Sequence, residues 1–137
     1  MDPLTTLAAI QDALKAGLVS ELGNVACDLG FPTVLEREHV WIEGSADGDI
    51  AYDLSNGAAS ELVVSVTVDA ITTFAGDYED TRARLATLWD AVSDAVAGLS
   101  VTDHVTFGRW TVKEGRSASG ERQLGFSRDI EFTSWLG

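Results

Sequence analysis

The run ELVVSVTVDAI at residues 61–71, followed by GDYEDTRARLATLWDAVSDAVAG at residues 76–98, decides the fold. In the first run apolar and polar side chains alternate, which predicts a strand with one buried face. That apolar face holds Leu62, Val64, Val66, Val68 and Ala70. The second run predicts a helix capped by Asp77 and stopped at Gly98. Its apolar stripe, at helical spacing, holds Leu85, Leu88, Trp89, Val92 and Val96. The stripe must therefore face the sheet.

Toward the N-terminus, leucines at helical spacing predict a first helix from about Asp2 to Val19. The glycines and proline of residues 23–32 predict an irregular, turn-rich segment. Residues 34–42 predict a strand with apolar groups on both faces, typical of a strand that is covered on both sides or used at an interface. The polar residues 43–60 predict a long acidic loop, which carries Asp47, Asp49 and Asp53.

The last third of the chain predicts a β-hairpin. Val105 and Phe107 share one parity, whereas Trp110 and Val112 share the other, so we expect a β-bulge at Gly108. The predicted order is α-β-β-α-β-β, which implies one α+β domain over residues 1–137. Its sheet is mostly antiparallel, and the two helices pack on one face.

The composition excludes several function classes. Nine Lys and Arg face 22 Asp and Glu, which gives a net charge of −13. Binding to nucleic-acid phosphates or to an anionic membrane needs the opposite balance. Asp2 and Asp12 interrupt what would be a signal peptide, and no stretch of about 18 apolar residues predicts a membrane span. The single Cys27 excludes an intramolecular disulfide.

No catalytic, cofactor or metal site is predicted. The acidic run from Asp47 resembles a calcium loop at first but has Tyr52 and Ala58 where glycine and glutamate are needed. A structural zinc site needs four ligands, and the chain has three side chains of the Cys/His type: Cys27, His39 and His104. The flank of Cys27 resembles no nucleophile motif, and residues 115–120 lack the lysine and helix of a phosphate-binding loop. We therefore expect a protein that is not an enzyme.

Aromatic and arginine side chains are the candidates for contacts between subunits or with a partner, because both are enriched at binding hot spots. The candidate residues are Trp41, Arg82, Arg84, Trp110, Arg128 and Trp135. Arg128 lies on the apolar parity of the final strand. Two alternatives stay open for it: a side chain that snorkels to solvent at an edge, or an ion pair with an acidic neighbouring subunit.

Four stretches resemble phage tail terminator proteins: DPLTTLAAIQDAL at 2–14, LEREHVWIEG at 35–44, GDYEDTR at 76–82 and GFSRDIEF at 125–132. The resemblance covers most of the chain and includes its length and element order. It implies a ring, usually of six subunits, on the head-proximal end of the tail tube of a long-tailed phage. Such a ring ends tube polymerisation and presents a joining surface to the head-completion or connector protein.

The resemblance also implies a place in the virion tail after assembly in the host cytoplasm, with no cofactor. DNA would pass through the channel without specific binding. The long acidic loop with Asp47, Asp49 and Asp53 is compatible with this role, since it could face the lumen or reach a neighbouring ring. Two alternatives remain. One is another neck protein of similar fold, and the other is a small α+β ligand-binding domain with a pocket lined by His39, His104 or Cys27. An acidic inhibitor or nucleic-acid mimic is compatible with the charge alone.

Overall fold

The computed structural model of the chain describes residues 3–47, 60–100 and 104–136. Two helices and five strands follow one another in these ranges. They are α1 (Pro3–Leu22), β1 (Ala26–Leu29), β2 (Glu38–Asp47), β3 (Ser60–Thr73), α2 (Tyr78–Ala97), β4 (His104–Arg116) and β5 (Arg122–Leu136).

The five strands form one sheet in the order β1-β2-β3-β5-β4. All neighbouring strands are antiparallel except β1 and β2, which run parallel. In this register Val68 of β3 lies opposite both Ile42 of β2 and Arg128 of β5. The even-numbered residues of β2, β3 and β5 therefore share one face. The predicted α+β fold with a mostly antiparallel sheet is confirmed.

Both helices pack on this even-numbered face and bury one apolar core. The largest fully buried side chains include Phe132, Ile10, Leu14, Leu18, Ile42, Leu88 and Ile130. A large apolar side chain contributes about 2 kcal/mol when fully buried, so this core is the main source of stability. The predicted placement of the two helices on one face is confirmed.

The ends of α2 are fixed as the sequence predicts. The carboxylate of Asp77 accepts a hydrogen bond from the backbone N–H of Asp80 over 2.8 Å, and Gly98 follows the last helical turn. Glu79 and Asp80 place negative charge in the first turn, where the helix dipole favours it.

Two parts of the sequence prediction are wrong. The segment predicted to be irregular contains the short strand β1, which pairs with β2 from Ala26 to Leu29. β2 begins at Glu38 rather than residue 34, and it runs through residues 43–47, which the sequence predicts as loop. Its polar residues and Gly44 hide the strand pattern, but a Cβ at Gly44 would lie 2.8 Å from a side-chain atom of Leu7. Glycine there makes room for α1.

The predicted β-bulge is confirmed. Phe107 pairs with Ile130 and Trp110 with Arg128, so two residues of β4 oppose one residue of β5. The extra residue reverses the side-chain alternation of β4. Phe107, Trp110 and Val112 consequently lie in one row on the helix side of the sheet.

Candidate functional site

β4 is an edge strand whose outer side has no strand partner in the described ranges. Every one of its 13 residues is exposed except the partly buried Val105. A long open edge offers unpaired backbone N–H and C=O groups to another chain, and natural proteins rarely leave such an edge uncovered. This edge is therefore a candidate binding surface.

The helix side of β4 also carries exposed apolar side chains, because the backbone of α2 lies close to β3 and β5 but not to β4, which α2 reaches through side chains such as Trp89. The side chains of Phe107, Trp110 and Val112 are 45%, 61% and 50% exposed. We call these three residues the edge patch. A contiguous row of exposed apolar groups marks an interaction site more often than single exposed residues do.

The guanidinium of Arg128 lies against the ring of one edge-patch residue, Phe107, and against the ring of Trp89. Its guanidinium carbon lies 4.0 Å from the ring centroid of Trp89 and 4.1 Å from that of Phe107. Nη1 donates a hydrogen bond to Ser93 Oγ over 2.7 Å, and only 7% of the residue is exposed. Burial lowers the pKa of the guanidinium. The side chain is thus buried by aromatic rings of its own chain rather than extended to solvent at an edge.

Trp110 contacts this aromatic cluster edge-on. Its ring centroid lies 6.1 Å from that of Trp89, which in turn lies 5.1 Å from the ring of Phe126. Such pairs prefer this geometry because the positive edge of one ring meets the negative face of the other. Trp110 is therefore positioned by its neighbours while much of its surface stays open.

The other candidate interface residues lie elsewhere. Trp41 is buried on the helix-free side of the sheet, with the ring of Phe31 edge-on at 5.4 Å. Arg84 binds Glu38 with two nitrogens, one at 2.9 Å, and this hydrogen bonding lowers the pKa of Glu38. Arg82 is exposed, 5.9 Å from the ring of Tyr78. Of the five candidates whose side chains the structure describes, it thus brings together only Trp110 and Arg128.

Two of the three acidic loop candidates, Asp49 and Asp53, lie outside the described residues. Asp47 belongs to β2 and pairs with Val63 of β3, so its prediction as a loop residue is wrong. The backbone of Trp135 belongs to β5, and its side chain is not among those described.

A second group of exposed apolar side chains, which the sequence reasoning missed, follows β1. We call it the loop patch, and its members are Leu29, Phe31, Val34 and Leu35. Because the sequence predicts this segment partly as a turn and partly as a strand, its exposure could not be inferred. The only sequence signal was the density of large apolar residues in a glycine- and proline-containing segment.

Cys27 and His39 are close in the sheet but do not form a reactive pair. Cys27 packs against the core on the helix side, where burial raises the pKa of its thiol to about 11. His39 is buried and bonds to Asp28, with 2.6 Å between Nε2 and the carboxylate. Its Nδ1 accepts a hydrogen bond from the backbone N–H of Glu36, so Nε2 carries the proton given to Asp28. These partners make His39 a structural residue.

The helix-free side of the sheet forms a broad open groove of about 450 Å³. It is lined by Trp41, Asp69, Ile71, Lys113, Gln123 and Ser127 among others. Burial raises the pKa of Asp69, and the nearby carboxylates of Glu43 and Asp129 add to this, although a hydrogen bond with Ser127 opposes it. None of Cys27, His39 and His104 lines the groove. His104 instead borders a separate cavity of about 360 Å³ beside Phe107.

Within the described ranges, no three His, Cys, Asp or Glu side chains are grouped so that they could hold a metal ion. Neither α1 nor α2 is long and apolar enough to cross a membrane.

No protein-family model matches the chain, and no curated protein matches it significantly. Among the 31 matching chains of solved structures is one from the "Virion of native gene transfer agent (GTA) particle". It is 21% identical, with a TM-score of 0.46, and the match covers 91% of this chain and 97% of that one. A second solved structure is 11% identical, with a TM-score of 0.43 and 91% of each chain covered. Because both TM-scores lie below 0.5, we draw no functional argument from these likenesses.

Proposed function

We propose that this chain is a virion structural protein, a phage tail terminator. Copies of it assemble into a ring, usually a hexamer, on the head-proximal end of the tail tube. The ring ends tube polymerisation and joins the tail to the head connector. The observation that carries the proposal is the edge patch on a long edge strand that nothing in the described part of the chain covers.

An edge of this kind supports assembly because it combines two sources of affinity. The unpaired backbone of β4 can bind a strand or loop of another chain, and the apolar side chains of Phe107, Trp110 and Val112 lose water when they are covered. Arg128 contacts the ring of Phe107, and Trp89 contacts the ring of Trp110. These contacts order the two rings before binding, which lowers the entropy cost of association. The unpaired backbone of β4 and the edge patch together therefore form a surface suited to binding a protein partner.

Catalysis has less support from the same geometry. The thiol of Cys27 is kept neutral by burial, and His39 is committed to Asp28 on the other side of β1. The groove over Trp41 and Asp69 is wide and open, whereas small-molecule sites enclose most of their ligand. A structural role follows from these contacts together with the sequence resemblance to tail terminators.

The net charge of −13 suits a protein whose ring surrounds a DNA channel. A wall of the same sign as the phosphate backbone repels it, so DNA passes without specific binding. The partners in this proposal are further copies of the chain, the tail tube protein and the head-completion protein. The protein is then assembled in the host cytoplasm and resides at the head-proximal end of the virion tail.

Negative-stain microscopy of the purified protein with preformed tail tubes tests this function. We expect rings on one end of each tube and no further tube growth after tube protein is added. Leu4→Ala changes an exposed apolar residue outside both patches and is the matched control, which should still cap tubes. Compact monomers or dimers that leave both tube ends free to grow would contradict the proposal.

A pull-down separates the terminator from another neck protein. Immobilised chain is offered the tail tube protein and the head-completion protein separately. Binding to the tube protein is the expected result. Binding to the head-completion protein alone would instead identify a neck protein that never contacts the tube.

A further inference from the structure

Residues 30–37 connect β1 to β2 and are held to the sheet at both ends. At one end the backbone N–H of Gly30 donates to the carbonyl of Ile42 over 2.7 Å. At the other end the carbonyl of Arg37 accepts a hydrogen bond from the backbone N–H of Thr73 over 2.8 Å. Among the hydrogen bonds of the described ranges, only one reaches the residues in between, and its donor is the backbone N–H of Glu36.

The acceptor of that bond is the buried side chain of His39. Only 2% of this residue is exposed, and its Nδ1 lies 3.0 Å from the backbone nitrogen of Glu36. On the other side of the ring, Nε2 donates to the carboxylate of Asp28 over 2.6 Å. The ring also meets Trp41 edge-on, with 6.3 Å between the ring centroids. This arrangement requires the neutral imidazole, with its one proton on Nε2.

A second proton on His39 is incompatible with the bond from Glu36. An imidazolium carries an N–H on both nitrogens and has no acceptor left. The N–H of Nδ1 and the N–H of Glu36 would then be two donors facing each other, with 3.0 Å between their nitrogens. The contact with Asp28 survives the change, because it becomes an ion pair when the ring is charged. The ring is thus retained by Asp28, and the backbone at Glu36 has to move away.

The charged groups on the elements around His39 are mostly acidic. They are Asp28 of β1, Glu38 of β2, Asp69 of β3, and Glu36 and Arg37 of the connecting segment. Of these only Arg37 is basic, and its guanidinium is paired with Glu121 at 2.7 Å. Lys113 lies in the same cross-strand row as His39 but three strands away, at roughly 14 Å. No free cation among these groups therefore keeps a proton from the ring.

Residues 31–36 also have room to move. A cavity of about 410 Å³ lies between this stretch and the turn that joins β4 to β5, and residues of both line it. The side chains of Phe31 and Val34 are 66% and 71% exposed, so their movement breaks little packing. An opening of this stretch is therefore local and leaves the core intact.

We propose that His39 is a pH-sensitive switch for residues 31–36. At neutral pH the bond from Glu36 to Nδ1 holds this stretch in place. In acid a second proton on His39 removes the acceptor and frees the stretch, while the backbone bonds at both ends keep it attached. Every member of the loop patch except Leu29 moves with it. Acid thus loosens an exposed apolar surface without unfolding the sheet, and this inference does not depend on the proposed function.

Two substitutions separate the roles of the two ring nitrogens. His39→Asn places an amide oxygen near the position of Nδ1, so it can still accept from Glu36 but cannot titrate. His39→Gln places an amide N–H near the position of Nε2, so it can still bond to Asp28 but leaves Glu36 without an acceptor. The measurement is the hydrogen-exchange protection of the Glu36 amide by NMR, corrected for the intrinsic effect of pH. The amide of Val66, in the middle of the sheet, is the control for global stability.

In the unsubstituted chain we expect the protection at Glu36 to fall roughly tenfold from about pH 8 to about pH 5, the range in which histidines titrate. The protection at Val66 should stay constant, and the ¹⁵N shift of Nδ1 of His39 should change with the same midpoint as the protection at Glu36. We expect His39→Asn to keep Glu36 protected at both pH values and His39→Gln to protect it at neither. Constant protection in the unsubstituted chain, an equal loss at Val66, or two different midpoints would overturn the switch, even if neither variant folds. The same pH dependence in His39→Asn would also overturn it, because another group would then be responsible.

Discussion

Replacing Trp110 with alanine should weaken assembly far more than it weakens folding. The side chain is 61% exposed, so about 150 Å² of a tryptophan's surface of roughly 250 Å² is available for a partner to cover. At about 25 cal/mol per Å², covering this area gives at most about 4 kcal/mol. Binding retains only part of such a sum, so we expect a loss of about 2–3 kcal/mol per contact between subunits. That corresponds to roughly 30- to 150-fold weaker association.

The effect on the folded monomer is smaller and can be measured separately. Within the chain, alanine at position 110 removes the edge-on contact with Trp89, whose ring lies 6.1 Å away. Such a pair contributes about 1 kcal/mol, so thermal unfolding should shift down by about 4 °C. The protein should otherwise remain folded, because Trp110 is not part of the buried core.

The assay is the concentration of protein that caps half of the tail tubes, measured by counting capped ends in micrographs. Circular dichroism on the same preparation gives the unfolding temperature. Leu4→Ala is the control, since Leu4 is an exposed apolar residue of α1, with 76% of it open to solvent against 61% for Trp110. The reasoning is refuted if Trp110→Ala caps tubes at the unsubstituted concentration. It is also refuted if weaker capping is accompanied by a proportionate loss of stability, because the substitution then acts through the fold.

Four further predictions concern stability and reactivity. Arg128→Met should lower the free energy of unfolding by about 1–2 kcal/mol in urea titrations, because two contacts between the guanidinium and aromatic rings and one charged hydrogen bond are lost. Equal or greater stability would contradict this and would mean that the cost of burying the charge outweighs these contacts. The pKa of Cys27 is raised to about 11, so little of its thiol is ionised at pH 8. Iodoacetamide should therefore label Cys27 at least about 100-fold more slowly in the native chain than in the urea-unfolded chain. Rapid labelling of the native chain would contradict this. The pKa of Asp69 is raised, so the charged carboxylate lowers the stability of the fold above the folded-state pKa, and this loss disappears as the pH falls through that pKa. Asp69→Asn should therefore raise the unfolding temperature at pH 7 but not at pH 3. An equal change at both pH values would refute the assignment. A Cβ at Gly125 would lie 2.8 Å from a backbone oxygen, so Gly125→Ala should cost about 1–3 kcal/mol of unfolding free energy, whereas Gly115→Ala, with open space around it, should cost little.

The parts of the fold that follow from local pattern could be predicted. The strand over 61–71 and the helix after Asp77 each carry a complete period of buried residues and their own boundary signals. The bulge at Gly108 was equally visible, because a change of parity within one strand has no other regular solution. These features depend on residues close together in the sequence.

The parts that depend on distant contacts could not be predicted. β1 has only four residues and exists through pairing with β2, and the end of β2 is set by its partner β3 rather than by its own polar residues. The edge patch depends on how far α2 extends across the sheet. Trp110 was therefore a candidate from its residue type, whereas Phe107 and Val112 look like ordinary core residues until the tertiary structure is known.

The extra residue at the β4 bulge has a consequence for how this surface evolves. If β4 ran on without a bulge while Gly108 stayed in the chain, Trp110 would point to the helix-free side and Phe107 would stay on the helix side. One continuous patch would become two fragments on opposite sides of the strand, with every residue type retained. In homologous chains, a single-residue gap at this place would instead keep Phe107 and Trp110 on the same side of the strand, because it removes the extra residue and the bulge together.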